Sequence, residues 1–289
     1  MYFSFVWLFL LGIPLLQAPG NNGIKMTVES RATGNSSQRT TYIQGDRERM
    51  EYRNSFGRKP AADGSIPTIY GPRLARILRC DLGQSFELNL DTSEYTSSPY
   101  PPKPLTQEEI KARGLETPAA RMPEHPTIRV ETKATDTGER KEMFGRMARH
   151  VITTRTQTPL EGSGSEAQES VTDGWYIDFD QQLSCDQKWP TSGHGYIAGY
   201  LGVGSGKQPM EKPEFVTVGE PETGLALYSQ TTSKSASTLP GAYTSKSETR
   251  VTEFAEGPLD PALFEIPPGF KLVDRIERNP SASAFPGKR

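Results

Sequence analysis

The sequence predicts a mainly β protein with few helices, a curved antiparallel sheet or half-barrel with a short helix packing on or near it. Three observations carry this reading. Apolar and polar residues alternate with period two along several segments, the pattern of a strand with one buried and one wet face. Gly and Pro number 27 and 24 among 289 residues, a share that suits many turns between short strands and stays below that of low-complexity disorder. Hydrophobic residues make up only 34% of the chain. Fourteen of the first twenty residues are apolar, and setting them aside leaves about 31%, enough to cover one face of a sheet more easily than to fill two layers.

The elements follow in order. Ile24, Met26 and Val28 alternate with Lys25, Thr27 and Glu29 and form a first strand. Thr40 to Ile43 and Arg47 to Asn54 make a hairpin around Gln44-Gly45-Asp46; Arg73 to Asp81 and Gln84 to Asp91 make another, turning at Leu82-Gly83. Four prolines between Ser97 and Pro104 exclude a central strand and end this meander. Residues 97–126 then form a Pro-rich connection with one short helix, capped by Thr106 with Glu109 three residues on, and stopping at Gly114.

Strands resume at Thr127 to Ala134, with a turn expected at Thr137-Gly138. The run from Glu139 to Thr156 is long for one strand, and Gly145 in its middle predicts a bulge. Gly162 to Ser170 is read as a polar loop. Trp175, Ile177 and Phe179 alternate with Tyr176, Asp178 and Asp180. Phe215 to Val218 and Leu225 to Tyr228 read as a strand pair, Ser229 to Ser247 as a Ser/Thr-rich loop, and Thr249 to Phe254 as a last strand. The expected organisation is a signal peptide over 1–20, a single β-rich domain over 21–279 and a disordered tail over 280–289.

No charged residue precedes Lys25, and Phe3 to Leu16 is apolar but for Ser4, Gly12 and Pro14. That run is shorter than the roughly 20 residues of a spanning helix and fits a signal-peptide core, with Ala18 and Gly20 as small residues at the exit. The expected location is periplasmic or secreted after cleavage, with an N-terminal membrane anchor as the alternative. Export makes a disulfide between Cys80 and Cys185, the two cysteines, chemically accessible. Closing a loop of that length stabilises by about 4 kcal/mol in the chain-entropy model.

The formal charge of −2 gives no basic excess for nucleic acid. Gly193-His194-Gly195-Tyr196-Ile197-Ala198 matches the glycine spacing of a dinucleotide loop, but more glycines follow where a helix would have to start, so no nucleotide is expected. His125, His150 and His194 are scattered, with no metal-ligand spacing, and neither metal nor cofactor is expected. The pairs Asp91 with Glu94 and Asp178 with Asp180 read as solvated polar faces, and no catalytic residue is assigned. The apolar alternants Met26, Val28, Tyr42, Met50, Phe86, Leu88, Trp175 and Ile177 either fill a core or line a concave ligand cavity; the same residue types serve both.

Several segments resemble uncharacterised exported bacterial proteins that are themselves similar to the LolA and LolB lipoprotein-carrier fold. These are Gly45-Asp46-Arg47-Glu48-Arg49-Met50-Glu51-Tyr52, Ile77-Leu78-Arg79-Cys80-Asp81-Leu82-Gly83-Gln84 and Glu94-Tyr95. The likeness continues in Arg140 to His150, Asp173-Gly174-Trp175-Tyr176 and Phe264-Glu265-Ile266-Pro267-Pro268-Gly269-Phe270. The resemblance implies an antiparallel sheet curled into a half-barrel, covered by helices, with an apolar cavity for acyl chains. The leading expectation is a non-catalytic envelope protein that binds a lipid, an acylated protein or another apolar ligand. The alternative is an envelope structural or protein-interaction module without ligand. A third reading is an exported hydrolase using His194 and a nearby carboxylate.

Overall fold

The computed structural model describes residues 22–32, 35–58, 68–102, 106–112, 123–179, 211–235 and 244–278. Seven strands come first: β1 (Gly23–Ala32), β2 (Asn35–Gln44), β3 (Arg47–Arg58), β4 (Thr68–Tyr70), β5 (Leu74–Arg79), β6 (Gln84–Asn89) and β7 (Glu94–Pro99). A six-residue helix, α1 (Gln107–Ala112), follows. Six more strands come next: β8 (Ile128–Met143), β9 (Arg146–Pro159), β10 (Gln168–Ile177), β11 (Pro213–Val218), β12 (Leu225–Ser235) and β13 (Thr244–Gly257). A 3-10 turn (Pro261–Phe264) and the two-residue β14 (Lys271–Leu272) complete the order.

All fourteen strands belong to one open sheet, ordered β11-β8-β9-β10-β12-β13-β1-β2-β3-β5-β6-β7-β14, with β4 beside the outer part of β3. The mainly β, curved-sheet expectation is met. Curvature shows in the contacts between β9 and β13, which two strands separate and which a flat sheet would hold about 14 Å apart. Arg146 nevertheless bonds Glu256, and the Phe144 and Phe254 rings lie 6.3 Å apart. Pairing is antiparallel except at the two ends, where β11 runs parallel to β8 and β14 parallel to β7.

The structure corrects four local expectations. The turn and the bulge of the second half exchange places. Thr137-Gly138 is a bulge inside the continuous β8, where the register shifts between Asp136 and Arg140, and the hairpin turn lies at Phe144-Gly145. Both turn residues have positive φ, 52° and 73°, the geometry that lets a two-residue turn follow the twist of its strands. At the bulge, Asp136 accepts the Gly138 N–H at 2.9 Å and grips Arg140 with two bonds of 2.8 Å. Gly145→Ala is expected to destabilise the protein by about 1–2 kcal/mol, since a Cβ is disfavoured in the left-handed region. A thermal melt read against Gly257→Ala, where the backbone φ is ordinary and an added methyl meets nothing, checks it.

The other corrections concern strand ends and partners. The meander runs one strand further than the prolines suggested, because Pro99 sits at the last pair of β7 and costs the ladder nothing internal. Phe215 to Val218 does not pair with Leu225 to Tyr228: β11 lies beside β8, while β12 lies between β10 and β13. Much of the Ser/Thr-rich segment is strand, Ser229 to Ser235 ending β12 and Thr244 to Ser247 opening β13. Thr172 and Thr231 bond across that ladder at 2.9 Å, so hydroxyl pairs support strands that carry few apolar residues.

Two hydrophobic clusters form. One gathers Val28, Ala148, Ile177, Leu227 and Val251, with Met26, Trp175 and Phe254 packed against it. The other gathers Ala75, Ile77 and Leu88, with Phe86, Tyr95 and Phe270. They lie on opposite faces in the first half of the sheet. The row Val251, Val28, Arg39, Tyr52, Leu74, Asn89 shares one face, and the row Lys25, Tyr42, Arg49, Ile77, Phe86 shares the other.

The C-terminal segment wraps the sheet edge and touches both faces. Phe264 is buried, Arg49 donates to the Leu263 carbonyl at 3.1 Å and Arg79 to Glu265 at 2.6 Å, all on the Ile77 face. After β14 has paired with β7, the chain crosses to the Val28 face. There Ile276 is buried, Asn89 donates to the Glu277 carbonyl at 3.2 Å and Arg278 bonds Glu87 at 2.5 Å. Cys80 closes β5, its N–H donating to the Asp46 carbonyl at 2.9 Å; Cys185, and with it the expected pairing, lies outside the described residues, as do 1–20 and 280–289.

Candidate functional site

The Val28 face forms a groove of about 710 Å³ that spans β13, β1, β2, β3, β5, β6 and β7, with Arg278 of the C-terminal segment at one side. Strand register sets its floor. Val28, Arg39 and Tyr52 stand side by side, the row with Met50, Arg76, Glu87 and Thr96 lies two residues along, and Ser30, Ser37 and Asn54 lie two residues the other way. Adjacent rows are about 7 Å apart and adjacent strands about 4.8 Å, so these side chains share one continuous concave surface.

Val28, Met50 and Tyr52 form a short apolar strip, and the remaining walls are mostly hydroxyls and charged groups. Arg76 donates to Glu48 at 3.2 Å. Tyr52 donates to Glu87 at 3.5 Å, and its phenol is raised above the usual value by burial and then by that carboxylate. Arg278 holds the other oxygen of Glu87. Arg39 is exposed to the groove, and its side chain makes no ion pair or hydrogen bond with another described residue.

Of the apolar residues that the sequence offers as a cavity lining, only Val28 and Met50 line this groove. Met26, Trp175 and Ile177 belong to the first cluster, where Trp175 also stacks on His150 at 4.8 Å. Phe86 and Leu88 belong to the second cluster on the opposite face, and Tyr42 is half-buried on that same face. Tyr42 of β2 and Phe86 and Leu88 of β6 face away from Val28 and Met50, so the set does not form one surface. Arg39, Tyr52, Arg76, Glu87 and Arg278 escaped sequence reasoning. For Arg39, Arg76 and Glu87 the signal was the polar side of the strands, read as plain wet face.

His150 heads the most chemistry-like cluster outside the groove. Asp173 lies 2.9 Å from Nε2 and the Thr137 hydroxyl 3.1 Å from Nδ1. The hydroxyl also accepts the Glu139 N–H and lies 3.2 Å from the His150 carbonyl, so it is engaged in holding the β8 bulge. The cluster lines neither the Arg39 groove nor the smaller groove around Thr153 and Arg155, and its bonds link the β8 bulge to β9 and β10. Asp91 is occupied by Arg73 and Asp178 by Arg149; His194 and Asp180 lie outside the described residues.

Among the described residues, no group of three His, Cys, Asp or Glu side chains is placed to hold a metal ion, and no helix is long and apolar enough to cross a membrane. No protein-family model matches the chain, and no curated protein matches it.

Proposed function

We propose that this is an exported, non-catalytic cell-envelope protein that holds an amphipathic ligand in its concave groove, with an architecture related to the lipoprotein carriers. The groove itself carries this reading: about 710 Å³ lies within the 300–1,000 Å³ of ligand pockets. Its short apolar strip takes a limited length of hydrocarbon, and the hydroxyl and guanidinium walls suit a polar head. A ligand that is hydrocarbon throughout would leave those polar walls desolvated and unpaired, which is unfavourable. A lipid or an acylated protein satisfies both parts. The apolar N-terminus fits a signal peptide, and a Cys80 to Cys185 bridge belongs to the same proposal because export supplies the oxidising compartment.

Organic extraction of natively purified protein, followed by mass spectrometry, tests this. The expected result is a copurifying amphiphile; no extracted ligand together with no binding of a fluorescent fatty acid overturns it. The second reading, a protein-interaction module, is favoured by one observation. Phe144 and Met147 at the β8–β9 turn are 42% and 64% exposed. Crosslinking in cells that gives one specific protein adduct through this turn would support it.

A further inference from the structure

We infer that the groove recognises an oxyanion, the phosphate-type head of its ligand, and that Arg39 is the residue that binds it. This rests on the proposal that the groove is a ligand site and adds the charge class of what it takes. Three arginines line the groove against one glutamate, although the whole chain carries a formal charge of −2. Glu87 and Glu48 engage two of them, so the surplus positive charge of this concavity is that of Arg39.

The three cations are not equivalent. Arg278 is held by Glu87 and Arg76 is bonded to Glu48, so each already has a carboxylate partner. Arg39 has none among the described residues, although it stands between Val28 and Tyr52 on the groove floor. A guanidinium presents paired N–H donors in a fixed fork that fits two oxygens of a phosphate or carboxylate. Arg76, on the next row and two strands away, shares the surface but is engaged by Glu48. The hydroxyls of Ser30 and Ser37 lie on the row next to Arg39 and can donate to remaining oxygens. The Val28, Met50 and Tyr52 strip beside Arg39 then receives the first part of an attached chain.

The test is isothermal titration of the full chain with decyl phosphate and with decyl maltoside, each below its micelle concentration, at two ionic strengths. Decyl phosphate is expected to bind at least ten-fold more tightly at low salt, with the difference shrinking at high salt. Arg39→Gln is expected to abolish that difference by weakening decyl phosphate, and Arg39→Lys to retain part of it. Arg39 is exposed, and an unchanged thermal midpoint confirms that each variant folds. Displacement of decyl phosphate by inorganic phosphate assigns the site to the free anion as well; no displacement assigns it to a headgroup joined to a chain. Equal affinities for the two amphiphiles, or an Arg39→Gln variant that keeps the preference, overturns the inference while the groove stands as a ligand site. Failure of both amphiphiles to bind removes the groove reading as well.

Discussion

Replacing Phe264 with alanine is expected to lower the unfolding free energy by about 3–5 kcal/mol, the cost of deleting a fully buried aromatic side chain. Phe264 is 1% exposed and closes the 3-10 turn that lies against β3 and β5. That turn is organised from its start, where Asp260 accepts the Ala262 N–H at 2.9 Å. Arg49 and Arg79, both buried, donate to Leu263 and Glu265 on either side of the ring. Losing the ring therefore opens a cavity and loosens the partners of two buried guanidinium groups, which places the effect towards the upper end of that range. Urea denaturation measures it. Leu272→Ala is the control on the same segment, because Leu272 is 64% exposed and its loss is expected to stay within about 0.5 kcal/mol. Similar losses for the two variants would contradict the account of a C-terminal segment anchored by one buried aromatic.

Arg149→Met is the second large effect, at about 3–5 kcal/mol near neutral pH, because it leaves a buried carboxylate unpaired. Arg149 on β9 grips Glu222 through Nε at 2.9 Å and Nη2 at 2.5 Å, and it also bonds Asp178 beyond the end of β10. The Glu222 side chain is only 9% exposed. Burial pushes its carboxyl up, but the bonds from Arg149 and from the Gly224 N–H outweigh this and hold it below the ordinary 4.5. A depressed carboxylate contributes stability that is present in full above its unfolded value and is lost as the pH falls through its folded value. The native protein is therefore expected to lose this contribution below about pH 4.5. In Arg149→Met burial prevails, and Glu222 takes up its proton at higher pH. The stability difference between the two proteins is then largest at neutral pH and narrows on acidification. Denaturation midpoints from pH 7 to pH 3.5 check the sign, and a difference that stays constant with pH would contradict the role given to Glu222.

How much of this was legible in the sequence depends on what each signal measures. Alternation located β1, β6 and the end of β10, and turn residues located β3 and β5, with the Gly45 turn, whose φ of 57° requires a residue tolerant of the left-handed region, placed correctly. Alternation could not say which face of the sheet an apolar set covers. Val28 and Leu88 carry the same pattern and end on opposite faces, because strand register alone decides which face each set covers. The exchange of turn and bulge in β8 and β9 has a similar origin. Thr137-Gly138 has the residue types of a turn, whereas Phe144 at φ 52° has a residue type that disfavours one, and only cross-strand packing on Phe254 makes that choice intelligible. β12 and β13 were underestimated because hydroxyl pairs such as Thr172 with Thr231 support a ladder without an apolar signal. The groove was hidden for the most basic reason. Its chemistry lies on polar alternants such as Arg39, Arg76 and Glu87, and a single strand shows these as solvated residues until seven strands bring them onto one concave surface.

The central claim is that the concave groove, and no other surface, holds the ligand. Ser37 lies on its floor between Ser30 and Asn54 and belongs to neither hydrophobic cluster, and Ser37→Trp fills the groove with a bulky ring. Quantitative extraction of ligand from natively purified wild-type and Ser37→Trp protein, matched for thermal midpoint, is the direct measurement. The account predicts a copurifying amphiphile in the wild-type protein and its loss from Ser37→Trp. Equal amounts in both would contradict it, as would none in the wild-type protein together with no binding of a fluorescent fatty acid.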